Sequence, residues 1–331
     1  MRTTYLMLLL ALALLMCAAA SVSAAVPLDT VKWTTDSAKP TEGGIARRAQ
    51  VYFLVDHNEE AGRNKYGGIR NLAIEAKIAN KFEILHFLIV SGGTIEPTRA
   101  GEPEYWCKGI TSNNGLVRAF VGDYVAAIVM VDGNGRITNI SRLDNPDTER
   151  KAIDALASTA KPLVTDSSQF PLTCKVPLAD LRVGDVNRAM KNLKMAGPDA
   201  AIFIKLVTDR VNVMIEMDVN LLNDPATMPA DKMIAIKRVN ALLAEFPKLP
   251  AASAATLAIK KTKDDKQLAK EQAAYAMLMG YFDAMKKVPA KKVKENQLQW
   301  IPGITAKFGG TYAAEVATMI RKASRLDQTD K

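Results

Sequence analysis

Histidine and cysteine are scarce in this chain, at two and three in 331 residues. So few soft donors leave little room for a metal site built from them. Aromatic residues supply only 6% of the sequence, whereas there are 14 methionines, a mix that suits Ala/Leu/Met-rich helices. Beyond the first segment, no apolar run approaches the roughly 18 residues of a membrane-spanning helix. No serine-elbow motif is present from which a nucleophilic triad would start, and Gly67-Gly68 and Gly92-Gly93 do not form a phosphate-binding pattern. What is present is globular in kind: 48% hydrophobic and 24% charged residues. This excludes a largely disordered chain, a collagen-like fibre and a polytopic membrane protein. At roughly 100–200 residues per domain, the length implies two domains or one large one.

Residues 1–25 read as a secretory signal peptide. Arg2 gives the positive n-region, Leu6 to Met16 is an apolar run of 11 residues, and Ala18 to Ala25 is rich in small residues. Val22-Ser23-Ala24 and Ser23-Ala24-Ala25 both fit a cleavage site. A soluble periplasmic or extracellular protein is therefore expected. Cys17 suggests a lipid anchor, but Met16 occupies the place where a lipobox has a small residue. Cleavage leaves Cys107 and Cys174, which an oxidising compartment permits either to pair or to remain separate thiols.

Charge divides the chain. Residues 25–184 hold 19 Lys+Arg and 19 Asp+Glu, whereas residues 185–331 hold 24 and 16. Ten lysines face four acids between Lys260 and Lys294, among them Lys260, Lys261, Lys286, Lys287, Lys291 and Lys292. These lysines read either as the solvated face of exported helices or as a contact for an anionic surface such as a membrane leaflet or envelope polymer. No interleaved aromatics accompany them, so sequence-specific nucleic-acid binding is not expected.

The neutral half alternates strand and helix. Ala49 to Val55 is a β-branched and aromatic run, as a buried strand requires. Asp56 to Gly68 reads as a polar loop. Ile69 to Phe82 has largely helical spacing, and Glu83 to Val90 is a second strand. A short helix over 116–121, a third strand over 125–131, and a return strand over 136–143 follow. Asp132-Gly133-Asn134-Gly135 joins these last two, and its Asn-Gly pair suits a type I′ turn. Pro146 to Ala160 closes the unit as a helix, with Asn145 or Asp147 available to cap it.

This β-α-β-(α)-β-β-α order over residues 47–162, with the hairpin Ala127 to Ile137, resembles a thioredoxin-like domain. The resemblance implies a Cys-x-x-Cys where the first strand meets the first helix, since a helix N-terminus there lowers a thiol pKa. Here that segment, Asp56 to Lys65, holds no cysteine. The family's cis-proline position, six residues before Asp132, holds Ala126. Dithiol chemistry is therefore not expected at that motif. Cys107 offers a different redox reading, as a peroxidatic or sensor thiol beside Lys108 with Cys174 as a resolving partner. The bland reading is a packed or disulfide-bonded cysteine. His57 lies with Asp56, Glu59 and Glu60 where such a fold places its functional loop, a cluster able to bind a metal or act as a general base. Its bland reading is a solvated acidic loop. His86 lies in a buried-looking strand and reads as a packed histidine. Asn139-Ile140-Ser141 matches a glycosylation acceptor, but its strand placement argues for a chance match. No metal site and no cofactor is expected.

The basic half reads as helical. A linker over 163–184 leads to amphipathic segments over 186–196, 199–222, 229–246, 250–261, 264–288 and 311–323, within a helical domain over 185–325. Residues 26–46 read as an N-terminal linker and 326–331 as a tail. Glu245 to Ala252 and Lys307 to Ala314 echo each other 62 residues apart, each placing an aromatic at a turn before small residues that open a helix. These junctions resemble those of exported tetratricopeptide-like proteins, whose helical hairpins stack into a concave surface. The layout resembles secreted bacterial proteins that join a thioredoxin-like domain to such a tail, and it implies an interaction module. The expected fold class is thus an α/β thioredoxin-like domain plus an all-α helical-hairpin domain. The expected function is a non-catalytic binding or scaffold protein with a protein partner. The alternative is a thiol-dependent oxidoreductase using Cys107.

Overall fold

The structure, a computed structural model, describes residues 26–34, 39–80, 83–93, 107–112, 114–144, 146–161, 163–164, 167–246 and 248–327. The expected signal peptide, with Cys17, lies outside the described residues.

Six strands form one mixed sheet: β1 (Lys32–Trp33), β2 (Ala49–Asp56), β3 (Ile84–Ser91), β4 (Cys107–Thr111), β5 (Ala126–Val131) and β6 (Ile137–Arg142), in the order β1-β4-β3-β2-β5-β6. Strands β2, β3 and β4 run parallel, while β5 is antiparallel to β2, β6 to β5, and β1 to β4. Every residue of β2, β3 and β5 is buried, so these strands are almost continuously apolar. Their side chains alternate between two covered faces. Val51, Phe53, Ile128 and Met130 pack with Ile69 and Leu72 of α1 (Glu60–Asn80) and with Ile153 and Leu156 of α3 (Pro146–Ala157). Tyr52, Leu54, Phe87 and Val129 face the other way, toward α2 (Gly115–Val121).

The rest of the chain is mostly helical: α4 (Lys175–Arg182), α5 (Val186–Asn192), α6 (Ala200–Asn223), α7 (Pro229–Glu245), α8 (Ala252–Lys261), α9 (Lys266–Met285), α10 (Val293–Lys307) and α11 (Tyr312–Ala323). The fold is therefore an α/β sheet unit followed by a helical region. Helices α7, α9, α10 and α11 pack onto the α2 face of the sheet. Met233, Tyr281, Phe282, Ile301 and Val316 share one apolar cluster with Tyr52, Phe87 and Phe120. Tyr281 Oη donates to Ala119 O, and Gln297 Nε2 donates to Arg118 O and Ser324 Oγ, at 3.2 and 3.0 Å. A second cluster, built by α4 to α8 around Phe203, Met214 and Leu242, lies away from the sheet.

Local chemistry explains where the elements differ from sequence expectation. Helix α1 begins at Glu60, inside the expected loop. Gly67 and Gly68 face open space, so they lower helix propensity without breaking a contact. Strand β4 was hidden by Lys108 and Gly109, although both pair with β3. Helix α10 was masked by Pro302-Gly303. The β5–β6 connection is not a type I′ turn. Only Gly135 has positive φ, at 90°, and Asp132 Oδ1 accepts from the backbone N–H groups of Asn134 and Arg136 at 2.9 Å each. This is an ordinary turn closed by a glycine, with the accompanying register shift at Met130/Val131. The expected linker over 163–184 contains α4 and a 3-10 turn over Leu172–Cys174.

Candidate functional site

The end of β2 brings together most of the sequence-predicted cluster. Asp56 is fully buried, and its carboxylate is surrounded by donors. Its Oδ1 accepts from Asn58 N at 3.1 Å, Asn58 Nδ2 at 3.0 Å and Ser91 Oγ at 3.0 Å. Its Oδ2 accepts from Arg118 Nη2 at 3.3 Å. The same Arg118 nitrogen reaches Glu59 Oε1 at 2.7 Å. Arg118 comes from α2 and Ser91 from β3, so this centre ties two strands to α2 and to the turn that precedes α1. A carboxylate bonded this fully is matched in charge and hydrogen bonding, which is what a buried charge requires.

His57 stands beside this centre. Its ring meets Tyr66 edge-on at 4.9 Å between centroids, and its backbone N–H donates to Ser91 O at 2.9 Å. A side chain at Gly93 would come within 2.7 Å of His57 Nδ1, so a bare backbone is needed there. Glu60 is exposed at the start of α1. Among the described residues, no group of three or more His, Cys, Asp or Glu is arranged to hold a metal ion.

The two thiols are placed apart. Cys107 is fully buried in β4 within the sheet–helix cluster. Burial pushes its thiol up to about 12, against a smaller lowering by Arg48. Cys174 is buried in the other cluster, and its Sγ lies 3.8 Å from Asp199 O. Both are free thiols.

The lysines separate as well. Lys260 and Lys261 occupy the last turn of α8, where a positive charge complements the helix dipole. Lys286, Lys287, Lys291 and Lys292 follow the far end of α9, a 20-residue helix. At 1.5 Å per residue that helix is about 30 Å long, which separates the two groups by several Debye lengths at physiological salt. Lys286 is also occupied: its Nζ lies 2.8 Å from both Asp29 and Asp283. Burial works against its charge, but the two carboxylates hold its pKa above the ordinary value. No helix among the described residues is long and apolar enough to cross a membrane.

The sequence reading missed Arg118 and Ser91, because topology alone places them against Asp56. It also missed a cavity between the 41–48 segment, the β5–β6 turn and helices α7, α9 and α11, lined by Glu42, Arg47, Lys237, Arg238, Tyr275 and Tyr312 among others. Its one legible signal is the Arg47-Arg48 pair immediately before a buried strand. No protein-family model, curated protein or solved structure matches the chain.

Proposed function

We propose that this is an exported, non-catalytic binding protein: a thioredoxin-like sheet unit without thiol chemistry, joined to a tetratricopeptide-like helical region that docks a protein partner. The observation behind this reading is the Asp56 centre. The strand–helix junction that a dithiol would need is occupied by a carboxylate bonded to Arg118, Ser91 and Asn58. The β2, β3, β5 and β6 pairings, with helices after β2 and before β5, agree with the resemblance. The rival reading, a redox enzyme using Cys107, is disfavoured by that thiol's burial and raised pKa, since the thiolate is the reactive form.

Support for docking comes from exposed apolar side chains. Leu172, Val176, Met190, Met195, Ile202 and Ile204 are all exposed, and Leu172 is 93% accessible. They fall within one stretch that precedes and opens α6, in the helical region proposed to dock the partner. Alkylation with iodoacetamide, mapped by mass spectrometry, tests the reading. Cys107 and Cys174 are expected to stay unmodified in the native protein, with or without prior peroxide, and to react fully in denaturant. Rapid native modification of Cys107 that peroxide blocks would establish the redox reading instead.

A further inference from the structure

The cavity beneath the 41–48 segment holds charged groups that the protein itself leaves unsatisfied. It has a volume of about 70 Å³, room for a small molecule rather than a single water. The segment above it is pinned. Thr41 Oγ1 and Gly43 N donate to Glu245 at 2.6 and 2.7 Å, and Thr41 N donates to Gly184 O at 2.9 Å. Arg47 sits at φ 56°, a left-handed conformation that costs a non-glycine residue of order 1–3 kcal/mol and is typical of ligand clamps. That strained backbone holds the Arg47 guanidinium against Asp218, which is fully buried and also accepts from Arg238 Nε at 2.7 Å.

Among the described residues, three buried polar atoms of side chains at the cavity have no hydrogen-bond partner: Lys237 Nζ, Arg47 Nε and Glu42 Oε1. Unpaired buried charges are rare, because each forfeits its solvation. Lys237 Nζ stands 3.0 Å from the Tyr275 ring centroid, and among the described residues no carboxylate lies within salt-bridge distance of it. Burial lowers its pKa to about 7, and Glu42 opposes this only in part. Burial and then the Glu245 charge raise the Glu42 carboxyl, while Lys237 lowers it. The lining carries Arg47, Arg48, Lys237 and Arg238 against Glu42, and Asp218 pairs with Arg47 and Arg238, so positive charge is in excess. The remaining walls are apolar: Ile45, Ala46, Ile234, Ala241 and the rings of Tyr275 and Tyr312. A positive excess in a mostly apolar cavity matches a monoanion with a hydrocarbon body better than a hydrated dianion such as phosphate.

We infer that this cavity binds a small organic monocarboxylate, its head group on Lys237 and Arg47 and its apolar body against Tyr275, Ile234 and Tyr312. The site uses none of the exposed apolar side chains of the docking surface. A bound carboxylate supplies the partner that Lys237 lacks, so binding draws a proton onto the amine. Glu42 and Glu245 oppose the incoming charge, whereas Arg47, Arg48 and Arg238 favour it.

Calorimetric titration of the full chain with hexanoate, inorganic phosphate and hexylamine tests the inference. Hexanoate is expected to bind saturably at one site, and phosphate and hexylamine far more weakly. Lys237→Met is expected to weaken hexanoate by about 30-fold or more, the usual consequence of removing a buried charge partner. The same variant is expected to unfold at no lower temperature than the parent without ligand, because the desolvated ammonium it removes has no carboxylate partner; this excludes misfolding as the cause. Affinity is expected to fall by up to about tenfold per pH unit above the Lys237 value. The absence of saturable hexanoate binding, equal affinity in Lys237→Met, or tighter binding of phosphate or hexylamine would each overturn the inference.

Discussion

Asp56 and Glu59 are both bonded to Arg118, but the two pairs are unequal. The Glu59 side chain is 48% exposed and the Asp56 side chain fully buried. Removing Arg118 leaves the buried carboxylate without its cation, a change that commonly costs about 3–5 kcal/mol. Arg118→Leu is therefore expected to lower stability by that order in urea titration. Glu59→Gln, at the solvated end of the same guanidinium, is expected to change it by less than about 1 kcal/mol. Equal losses would show that Asp56 is not the buried partner described here. His86 gives a second expectation. It is 1% exposed, stacked near Phe53, and neither ring nitrogen has a hydrogen-bond partner. Burial lowers its pKa from 6.5 to about 4, so the folded protein keeps it neutral while the unfolded chain takes up a proton. Its contribution is thus fully present above about pH 6.5 and is lost as pH falls toward 4, by about 2 kcal/mol at pH 5. His86→Leu is expected to flatten this part of the stability–pH curve, as measured by urea unfolding at several pH values. An unchanged slope would contradict the assignment. At this scale the sequence was half legible. Asp56, His57 and Glu59 adjoin in the chain, but Arg118 lies 62 residues from Asp56 and nothing local marks it as a partner.

The β5–β6 hairpin shows how far local chemistry reaches at the scale of an element. Asp132-Gly133-Asn134-Gly135 identifies the reversal, but not its turn type. Asp132 serves as the acceptor that shapes the loop, and the positive φ falls on Gly135 alone. A side chain at Gly135 would also stand 3.0 Å from Ile234 Cγ2 of α7. Gly135→Ala is therefore expected to cost about 1–2 kcal/mol, whereas Asn134→Ala is expected to cost less than about 0.5 kcal/mol. Thermal unfolding of the two variants checks this, and a comparable loss from Asn134→Ala would restore the type I′ turn. Long apolar strands such as β2 and β3 were legible because burial on both faces leaves a continuous hydrophobic run. Strand β4 was not, since Lys108 and Gly109 interrupt the run and the parallel partner β3 supplies the pairing. Helix α10 was obscured by Pro302-Gly303, although Val293, Gln297, Ile301 and Ile304 keep a helical spacing on its buried side.

Across the whole molecule, charge and packing divide the chain differently. The charge excess belongs to the second half, as the residue counts show. The apolar cluster crosses that division, because the α2 face of the sheet is completed by α9, α10 and α11. Composition reports the first property. The second depends on long-range contacts such as that between Tyr281 and Ala119, 162 residues apart, which no local pattern encodes. This arrangement bears on function. The sheet face that carries Cys107 is roofed by helices, and the strand end that carries Asp56 is closed by Arg118. Neither presents a thiol to a substrate, and the exposed apolar side chains between Leu172 and Val213 lie elsewhere. The proposed binding role draws on what is accessible, whereas a thiol-exchange role would need what is buried. The most direct test is the rate of insulin disulfide reduction by dithiothreitol in the presence of the protein. The expected rate equals that of dithiothreitol alone, for the parent and for Cys107→Ser alike. Acceleration by the parent that disappears in Cys107→Ser would contradict the proposed non-catalytic role.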